Sequence, residues 1–188
     1  RTENYQSDCS YISQIKAFKD NVSIKSCLSY TFSVSNSQGT SLIKDRPFTA
    51  EMTRSIMLLK EKHYRPRMAD YRIGVFFTGR EQLGEGAKTT APVYYANRWD
   101  IQPSDTAAYL RGEKVKPTKQ IVFYIDNTFP EKWKPYLREG VTQWNELFEQ
   151  IGFKDVVAAK DFPTDDPEFD PDNIKYSCVR YAPSSIEN

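Results

Sequence analysis

Residues 119–152 read KQIVFYIDNTFPEKWKPYLREGVTQWNELFEQIG, and this stretch decides the fold more than any other. Residues 121–125 are a short apolar run rich in β-branched and aromatic side chains, which predicts a strand buried on both faces. From Pro130 to Gly152, apolar residues recur at helical spacing, which predicts an amphipathic helix ending at a left-handed glycine. Residues 153–159 then supply a second strand, so the stretch predicts a strand–helix–strand unit.

The apolar face of the predicted helix should pack against the sheet. Its members are Trp133, Leu137, Val141, Trp144, Leu147, Phe148 and Ile151. We expect Trp133, Trp144 and Phe148 to be core residues, so that truncating a fully buried Trp144 to alanine would cost about 3–5 kcal/mol. At the start of the helix, Asn127 and Thr128 offer oxygens to unpaired N–H groups, and Asp126 is interpreted as a cap rather than a catalytic base.

Several segments of the chain resemble the opening of a metzincin-type zinc protease domain. They are FYID (123–126), PEKW (130–133), REGVTQWNELF (138–148), IGFKD (151–155), DDP (165–167), IKYS (174–177) and YAPS (181–184). Upstream, RMADYRIG (67–74) and RW (98–99) extend the resemblance towards the N-terminus. The group it resembles consists of exported bacterial zinc-dependent metalloproteases, in which the protease domain follows an N-terminal β-rich domain of unknown function. The resemblance implies export to the periplasm, the cell surface or the medium.

The residues before this unit predict antiparallel strands. Residues 22–34 alternate between apolar and polar side chains, and NSQG (36–39) is typical of a turn leading into a hairpin partner near residues 48–59. Further strands are expected at 73–78 and 92–99, a loop at 81–91 and a short helix at 105–110, whereas residues 1–21 fit either a helical turn or a lead-in strand. A last strand is expected at 174–182.

The predicted fold class is therefore α+β. A mostly antiparallel N-terminal β domain, residues 1–116, precedes a strand–helix–strand–strand unit, residues 117–188, that resembles the upper part of a zincin protease domain. By the same resemblance, the N-terminal domain is a candidate prodomain.

Composition excludes several classes of function. The chain has 188 residues, a net charge of +1, 39% hydrophobic and 14% aromatic residues, which is typical of a soluble globular protein. Its acidic and basic residues are interleaved, so no nucleic-acid surface is expected, and no apolar run is long enough to span a membrane. Cys9, Cys27 and Cys178 lack the spacing of a zinc cluster, and at most one disulfide can form among them.

The zinc site of the resembled family is missing from this sequence. Zinc hydrolases of this kind use imidazoles on one helical face, typically in a His-Glu-x-x-His motif, yet the only histidine is His63, which we assign to the surface. No catalytic, cofactor-binding or metal-binding residue is therefore assigned in this chain. The resemblance implies zinc and a peptide substrate only in the complete protein. The expected partner is the remainder of the protease domain, or a second chain that carries the zinc helix.

Three further features are candidate sites. Asp70, between Arg67 and Arg72, loosely resembles a latency switch that would ligate zinc in the complete protein; the alternative is a surface salt bridge or turn cap. The acidic residues of 161–172 suggest calcium, but their spacing and three prolines favour a solvated loop. Tyr94, Tyr95 and Trp99 either line a carbohydrate or peptide groove or pack in the core.

Three functions are compatible with these observations. By resemblance, the chain is the N-terminal portion of a zinc metalloprotease that hydrolyses peptide bonds when complete and is inactive alone. The alternative is a non-enzymatic module that binds carbohydrate or peptide, or an inhibitory or pseudoprotease domain. A His-Glu-x-x-His motif within the next hundred or so residues of the parent gene would distinguish the protease from the others.

Overall fold

The computed structural model describes residues 2–59, 64–84, 86 and 89–183. In chain order the elements are β1 (Thr2–Ala17), β2 (Asn21–Ser35), β3 (Ser41–Met57), β4 (Phe77–Leu83), β5 (Thr90–Ala96), α1 (Thr106–Leu110), β6 (Ile121–Ile125), α2 (Lys134–Thr142), α3 (Asn145–Gln150), β7 (Val157–Asp161) and β8 (Ser177–Val179). An antiparallel N-terminal sheet followed by helices and further strands confirms the α+β class, with strands predominating.

The N-terminal sheet has the order β1-β2-β3 and is antiparallel throughout. The alternating run predicted as a strand is β2, and the predicted turn follows it. There, the Asn36 side-chain oxygen accepts the N–H groups of Gln38 at 3.0 Å and Thr40 at 2.8 Å, while Gly39 adopts a φ of +83°. Residues 2–17, which the sequence left open, form a strand and not a helical turn.

Register decides which side chains share a face of this sheet. Ile24 of β2 lies opposite Ile15 of β1 and Arg54 of β3. Further along, Tyr30 lies opposite Tyr5 and Phe48. Residues directly opposite one another project to the same side, so the apolar positions of β2 and their partners form one continuous face.

The second sheet is a hairpin of β4 and β5, paired from Phe77 with Ala96 to Leu83 with Thr90. The predicted strand at 73–78 was therefore placed too early, and the expected loop at 81–91 was drawn too wide. The N–H of Ile73 bonds to the carbonyl of Asp70 at 3.0 Å in a turn, so the chain enters the strand only after it. The predicted short helix is confirmed as α1, with Asp105 accepting the N–H of Ala108 at 2.9 Å.

The third sheet has the order β7-β6-β8. The strand predicted at 121–125 is confirmed as β6, and β8 pairs with it in parallel. At one end the N–H of Ile121 bonds to Val156 at 2.8 Å, and at the other the N–H of Phe162 bonds to Ile125 at 3.0 Å. The residue numbers of both strands increase from the first bond to the second, so β7 also runs parallel to β6. Among the described residues, Ile125 of β6 and Val156, just before β7, are the largest fully buried side chains.

The single crossover helix predicted from Pro130 to Gly152 is wrong, because the structure has two short helices there, α2 and α3. Two local features explain the break. The Thr142 hydroxyl donates to the carbonyl of Arg138 at 2.9 Å. A side chain that bonds back to a helix carbonyl in this way slightly destabilises the end of the helix. Asn145 accepts the N–H groups of Val156 and Val157 at 2.9 and 2.8 Å, so its side chain is committed to β7. The predicted left-handed stop at Gly152 is confirmed by its φ of +86°.

The expectation that the tryptophans of this segment are core residues is also wrong. Trp144 is 60% exposed and Trp133 is 43% exposed. Phe148 is only half-buried. Because the helix breaks before Asn145, the apolar residues of the two parts do not form one continuous buried stripe. Hydrogen bonds of Asn145 and Arg138 to residues of β7 help to hold the segment to its sheet instead.

The chain divides into two compact units. Unit 1 comprises Arg1–Leu59, Val122–Thr142 and Ala158–Asn188, and it contains the three-stranded sheet of β1 to β3. Unit 2 comprises Lys60–Ile121 and Gln143–Val157, with the β4–β5 hairpin. The sequence boundary proposed near residue 116 stays a prediction.

Candidate functional site

A concavity lies on the apolar face of the β1–β3 sheet. It has a volume of about 510 Å³. Its apolar lining consists of Tyr5, Tyr11, Ile12, Ile24, Leu28 and Tyr30. Its polar lining consists of Ser10, Ser26 and Arg54. We call this concavity the sheet groove.

Irregular pairing in β1 shapes the sheet groove. The register jumps between Gln6 and Tyr11, where the strand bulges, and again between Ile12 and Gln14. The first bulge is pinned by Ser10, whose hydroxyl donates to the carbonyl of Gln6 at 2.6 Å and accepts the N–H of Ser29 at 3.0 Å. Bulges bend a strand and increase its twist, and so they curl the sheet around its apolar face.

The two ends of the sheet groove differ in chemistry. At one end Tyr30 stacks against Phe48 with ring centroids 5.3 Å apart and contacts Tyr5 at 5.4 Å. At the other end Arg54 is exposed and lies opposite Ile24. Arg54 is the only charged residue of the lining. This site could not be found from the sequence alone, because Arg54 acquires significance only from the cross-strand neighbours that the register supplies.

Tyr11 borders the groove and contacts Cys27, the residue opposite it in the register. A hydrogen bond between the Tyr11 hydroxyl and the Cys27 thiol raises the pKa of Tyr11. The tyrosine is therefore a neutral donor or acceptor at physiological pH, and it adds no charge to the groove.

Asp70 lies in a segment that extends the β4–β5 hairpin. Met68 forms a bridge with Tyr95, and the N–H of Ala69 bonds to the carbonyl of Tyr94 at 2.9 Å. The Asp70 carboxylate pairs with Arg72 through two side-chain bonds, at 2.6 Å from Nη2 and 2.9 Å from Nε. It also accepts the backbone N–H of Arg72 at 3.0 Å.

These contacts have an electrostatic consequence. The Arg72 guanidinium and then its backbone N–H hold the pKa of Asp70 below its ordinary value. The carboxylate is thus ionised and already satisfied by one neighbour, which is the geometry of the salt-bridge alternative. Among the described residues no group of three or more histidine, cysteine or acidic side chains is arranged to hold a metal ion. Zinc ligation by Asp70 in a complete protein stays a prediction. His63 lies outside the described residues.

The three aromatic candidates on and after β5 have different environments. Tyr94 is half-exposed and packs edge-on against Phe77 at 5.1 Å. Tyr95 is adjacent in the same strand and so projects to the opposite face, and Trp99 is exposed beyond the strand end. The arrangement does not place Tyr94 and Tyr95 on one surface.

The acidic loop, residues 161–172, is tied to the N-terminal sheet within unit 1. Lys16 contacts Asp172 at 2.8 Å and Asp170 at 2.9 Å. Those two bonds raise the pKa of Lys16. Burial raises the pKa of Asp170, but the bonds from Lys16 and from the N–H of Asp172 outweigh it, so the net shift is downward. In the middle of the loop, Phe169 packs on Tyr176 at 4.7 Å.

Asp126 follows β6 and is buried. Its carboxylate accepts the N–H and the hydroxyl of Thr128, both at 2.9 Å, and a 3.1 Å bond from Arg180. Burial alone would raise its pKa, yet these three bonds lower it overall. A carboxylate with this many fixed donors is a poor proton acceptor, and the contacts are those of a turn cap. The cap closes the turn directly after β6, before α2 begins.

The three cysteines are free thiols, Cys9 exposed and the other two half-buried. Burial raises the pKa of Cys178, which keeps that thiol protonated and unreactive.

The sequence matches the family described as a domain of unknown function, DUF5117, over residues 1–104. This chain belongs to the DUF5117 family. No curated protein and no solved structure matches the chain.

The DUF5117 match includes β1 to β5, and with them the sheet groove and Asp70. The acidic loop, Asp126 and the parallel sheet of β6 to β8 lie beyond it. None of the helices in the described part of this DUF5117 protein is long and apolar enough to cross a membrane.

Proposed function

We propose that this DUF5117 chain is the N-terminal portion of an exported, zinc-dependent metalloprotease of the metzincin type. The protein hydrolyses peptide bonds when complete, in the periplasm or outside the cell. This chain supplies an N-terminal β domain and the first strands of the protease domain. Zinc is held by residues that follow in the same polypeptide or are supplied by a second chain.

One structural observation carries the proposal. The segments that resemble the opening of a metzincin domain fold into a parallel unit in which β7 and β8 flank β6. A parallel β6–β7 pair requires a crossover, and α2 and α3 provide it. A strand, a crossover helical segment and a parallel strand form the expected start of such a protease domain.

The part-buried hydrogen bonds of this unit support the same interpretation. Asn145 joins the crossover to β7, and Asp126 closes the turn after β6 with Arg180 as its partner. Both residues belong to segments that carry the resemblance, REGVTQWNELF and FYID respectively. These segments therefore serve a structural purpose, which suits a chain whose chemistry lies elsewhere in the protein.

The proposal is tested on the gene that encodes these residues. Reading the coding sequence downstream of residue 188, and measuring the intact mass of the expressed product, decides whether a zinc helix follows. We expect a His-Glu-x-x-His motif within the next hundred or so codons. A product without such a motif, and without a co-purifying chain that carries one, would contradict the proposal.

A second candidate function is a non-enzymatic binding module, and the sheet groove favours it. The groove is formed by β1 to β3, which lie in the DUF5117 match and outside the protease-like unit. This candidate predicts saturable binding in the absence of any metal. The two functions are compatible in one protein, since a binding domain can precede a catalytic one.

A further inference from the structure

We propose that the DUF5117 region, residues 1–104, is a lasting partner of the parallel β6–β8 unit and not a removable prodomain. One end of the β1–β3 sheet binds residues 170–174, the segment that leads towards β8, and we call this contact the strand-end clasp. The clasp keeps the two regions together after the chain between them is cut. Its meaning for activity rests on the proposed protease function, whereas the association itself does not.

The division of the chain into compact units does not follow the DUF5117 match. Unit 1 joins Arg1–Leu59 with Val122–Thr142 and Ala158–Asn188, although residues 60–121 lie between them in the sequence. The β1–β3 sheet therefore belongs to the same compact unit as most of β6, β7 and β8. A prodomain that is released after cleavage is expected to form a compact unit of its own. The division of this chain instead passes through the DUF5117 match, after residue 59.

Asn21, the first residue of β2, makes the central contact of the strand-end clasp. Its side-chain amide donates to the carbonyl of Asp172 at 2.9 Å, and its side-chain oxygen accepts the N–H of Ile174 at 3.2 Å. The same amide donates to the hydroxyl of Ser55 on β3 at 2.9 Å. Asn21 is only 4% exposed, so the loss of these bonds leaves buried polar groups unpaired. The bonds hold backbone groups on both sides of residue 173 and so set the path of the segment.

Lys16, near the end of β1, adds charge to the strand-end clasp. Its ammonium lies 2.8 Å from a carboxylate oxygen of Asp172 and 2.9 Å from one of Asp170. The three side chains are between 26% and 33% exposed, so water and salt screen these ion pairs less than pairs on the open surface. Lys16, Asn21 and Ser55 come from β1, β2 and β3, so every strand of the sheet contributes a side chain to the clasp.

The aromatic residues that flank the clasped segment pack on β6. Phe169 contacts Tyr124 of β6 at 5.2 Å and Tyr176 at 4.7 Å, and Tyr176 lies edge-on to Tyr124 at 5.4 Å. Strand β8 begins at the next residue after Tyr176. Polar bonds thus hold the segment to the β1–β3 sheet, and the ring cluster holds its two ends to β6. The DUF5117 region therefore helps to place β8 against β6.

The test cuts the folded chain and measures whether the two pieces separate. A recognition site for a sequence-specific protease is inserted after Asp100, in an exposed stretch near the end of the DUF5117 match. The 188-residue chain with this insertion is cleaved and passed through a size-exclusion column, over a dilution series, beside the uncut chain. We expect the pieces to elute together at the volume of the uncut chain. Two separate peaks at every concentration would overturn the proposal, and the result does not depend on whether the complete protein binds zinc.

Two variants show whether the strand-end clasp holds the pieces together. Lys16→Gln removes the charge of a partly exposed side chain, and Asn21→Ala removes the buried amide. Each should raise the concentration at which half of the pieces separate by roughly tenfold, because each removes hydrogen bonds of a charged or buried group. Lys19→Gln, at an exposed lysine three positions from Lys16, is the matched control and should leave that concentration unchanged. Equal values for Lys16→Gln and Lys19→Gln would overturn the assignment to the clasp.

Hydrogen exchange in the uncut chain tests the same contact without the cut and without Asn21→Ala, which can weaken the whole fold. The N–H of Asp126 bonds to the carbonyl of Val179 at 3.0 Å, so its exchange reports on the pairing of β6 with β8. In Lys16→Gln we expect this pairing to exchange roughly tenfold faster, while the β4–β5 hairpin keeps its rate. Unchanged exchange of the β6–β8 pairing in Lys16→Gln would show that the clasp does not place β8.

Discussion

Lys16 lies 2.8 Å from a carboxylate oxygen of Asp172, although 156 positions separate the two residues in the chain. The ammonium also contacts Asp170 at 2.9 Å, so it joins the last residues of β1 to the acidic loop within unit 1. All three side chains are only partly exposed. This contact ties the acidic loop to β1, whereas the sequence suggested a solvated loop.

The first prediction concerns acid stability. The pKa of Asp170 is lowered in the folded chain, so its contribution is present above the unfolded value near 3.9 and is lost as pH falls through the folded value. We expect the free energy of unfolding to fall below about pH 4, and Asp170→Asn to make that fall shallower. Urea unfolding at a series of pH values measures it. Asp126 shifts in the same direction, so a part of the acid dependence should survive the exchange.

At alkaline pH the same contact makes the free energy of unfolding depend on pH in the opposite direction. The pKa of Lys16 is raised, so its contribution is present below the unfolded value near 10.4 and is lost as pH rises through the folded value. Asp165→Asn, in the same loop but outside the Lys16 contacts, is the charge-matched control. Equal pH profiles for Asp170→Asn and Asp165→Asn would contradict this assignment.

A second prediction concerns Asn21, which is only 4% exposed. Its side chain donates to the carbonyl of Asp172 and to Ser55, both at 2.9 Å, and accepts the N–H of Ile174 at 3.2 Å. Asn21→Ala leaves these groups without partners, which should lower the free energy of unfolding by about 1–3 kcal/mol. Asn4→Ala, on an exposed part of β1, should change it by less than about 0.5 kcal/mol in the same urea titration.

The third prediction compares two apolar truncations. Ile125 is fully buried in β6, so Ile125→Ala should cost about 2–5 kcal/mol. Trp144 is mostly exposed, so Trp144→Ala should cost less than about 1 kcal/mol, in contrast to the value expected for a core tryptophan. Thermal or urea unfolding of the two variants decides. A larger loss for Trp144→Ala than for Ile125→Ala would show that the surface around Trp144 is covered.

The fourth prediction separates backbone strain from a steric clash. Gly152 and Gly112 both have positive φ, +86° and +84°, so an alanine at either position is strained by about 1–2 kcal/mol. A Cβ at Gly152 would in addition lie 2.9 Å from Cε2 of Tyr109, whereas at Gly112 it meets nothing within 4 Å. Gly152→Ala should therefore be the more destabilising of the two by about 1–3 kcal/mol.

A double variant checks the origin of that difference. The Tyr109 ring is fixed by its hydroxyl, which donates to the carbonyl of Ile151 at 3.0 Å, and by contact with Phe153 at 5.0 Å. It cannot move aside freely. In a Tyr109→Ala background, Gly152→Ala should cost no more than Gly112→Ala, as a double-mutant cycle would show. A difference that persists there would locate the strain in the backbone.

Local patterns of sequence predicted much of the fold. The alternation of residues 22–34 predicted β2, the apolar run 121–125 predicted β6, and Gly152 predicted a left-handed stop. Each of these depends on interactions within a few positions of the chain. The break between α2 and α3 was not predicted, because it depends on hydrogen bonds between Asn145 and residues more than ten positions away.

The candidate site was harder to predict from the sequence than the fold was. The pattern of β2 identified an apolar face but not whether anything covers it, and Arg54 became notable only when the register placed it opposite Ile24. Lys16 likewise gave no signal, since its partners Asp170 and Asp172 lie in a distant loop. Sequence spacing reports neighbours along one element, whereas these contacts are set by how separate elements pair.

The central claim is that this chain is one part of a zinc protease. The most direct test is the zinc content and peptide hydrolysis of the purified product of the complete gene, measured beside the chain of residues 1–188. The account predicts about one zinc ion per complete protein, hydrolysis of labelled casein that is lost on chelation and restored by zinc, and neither property in the shorter chain. A complete product that contains no zinc and does not cleave casein would contradict it.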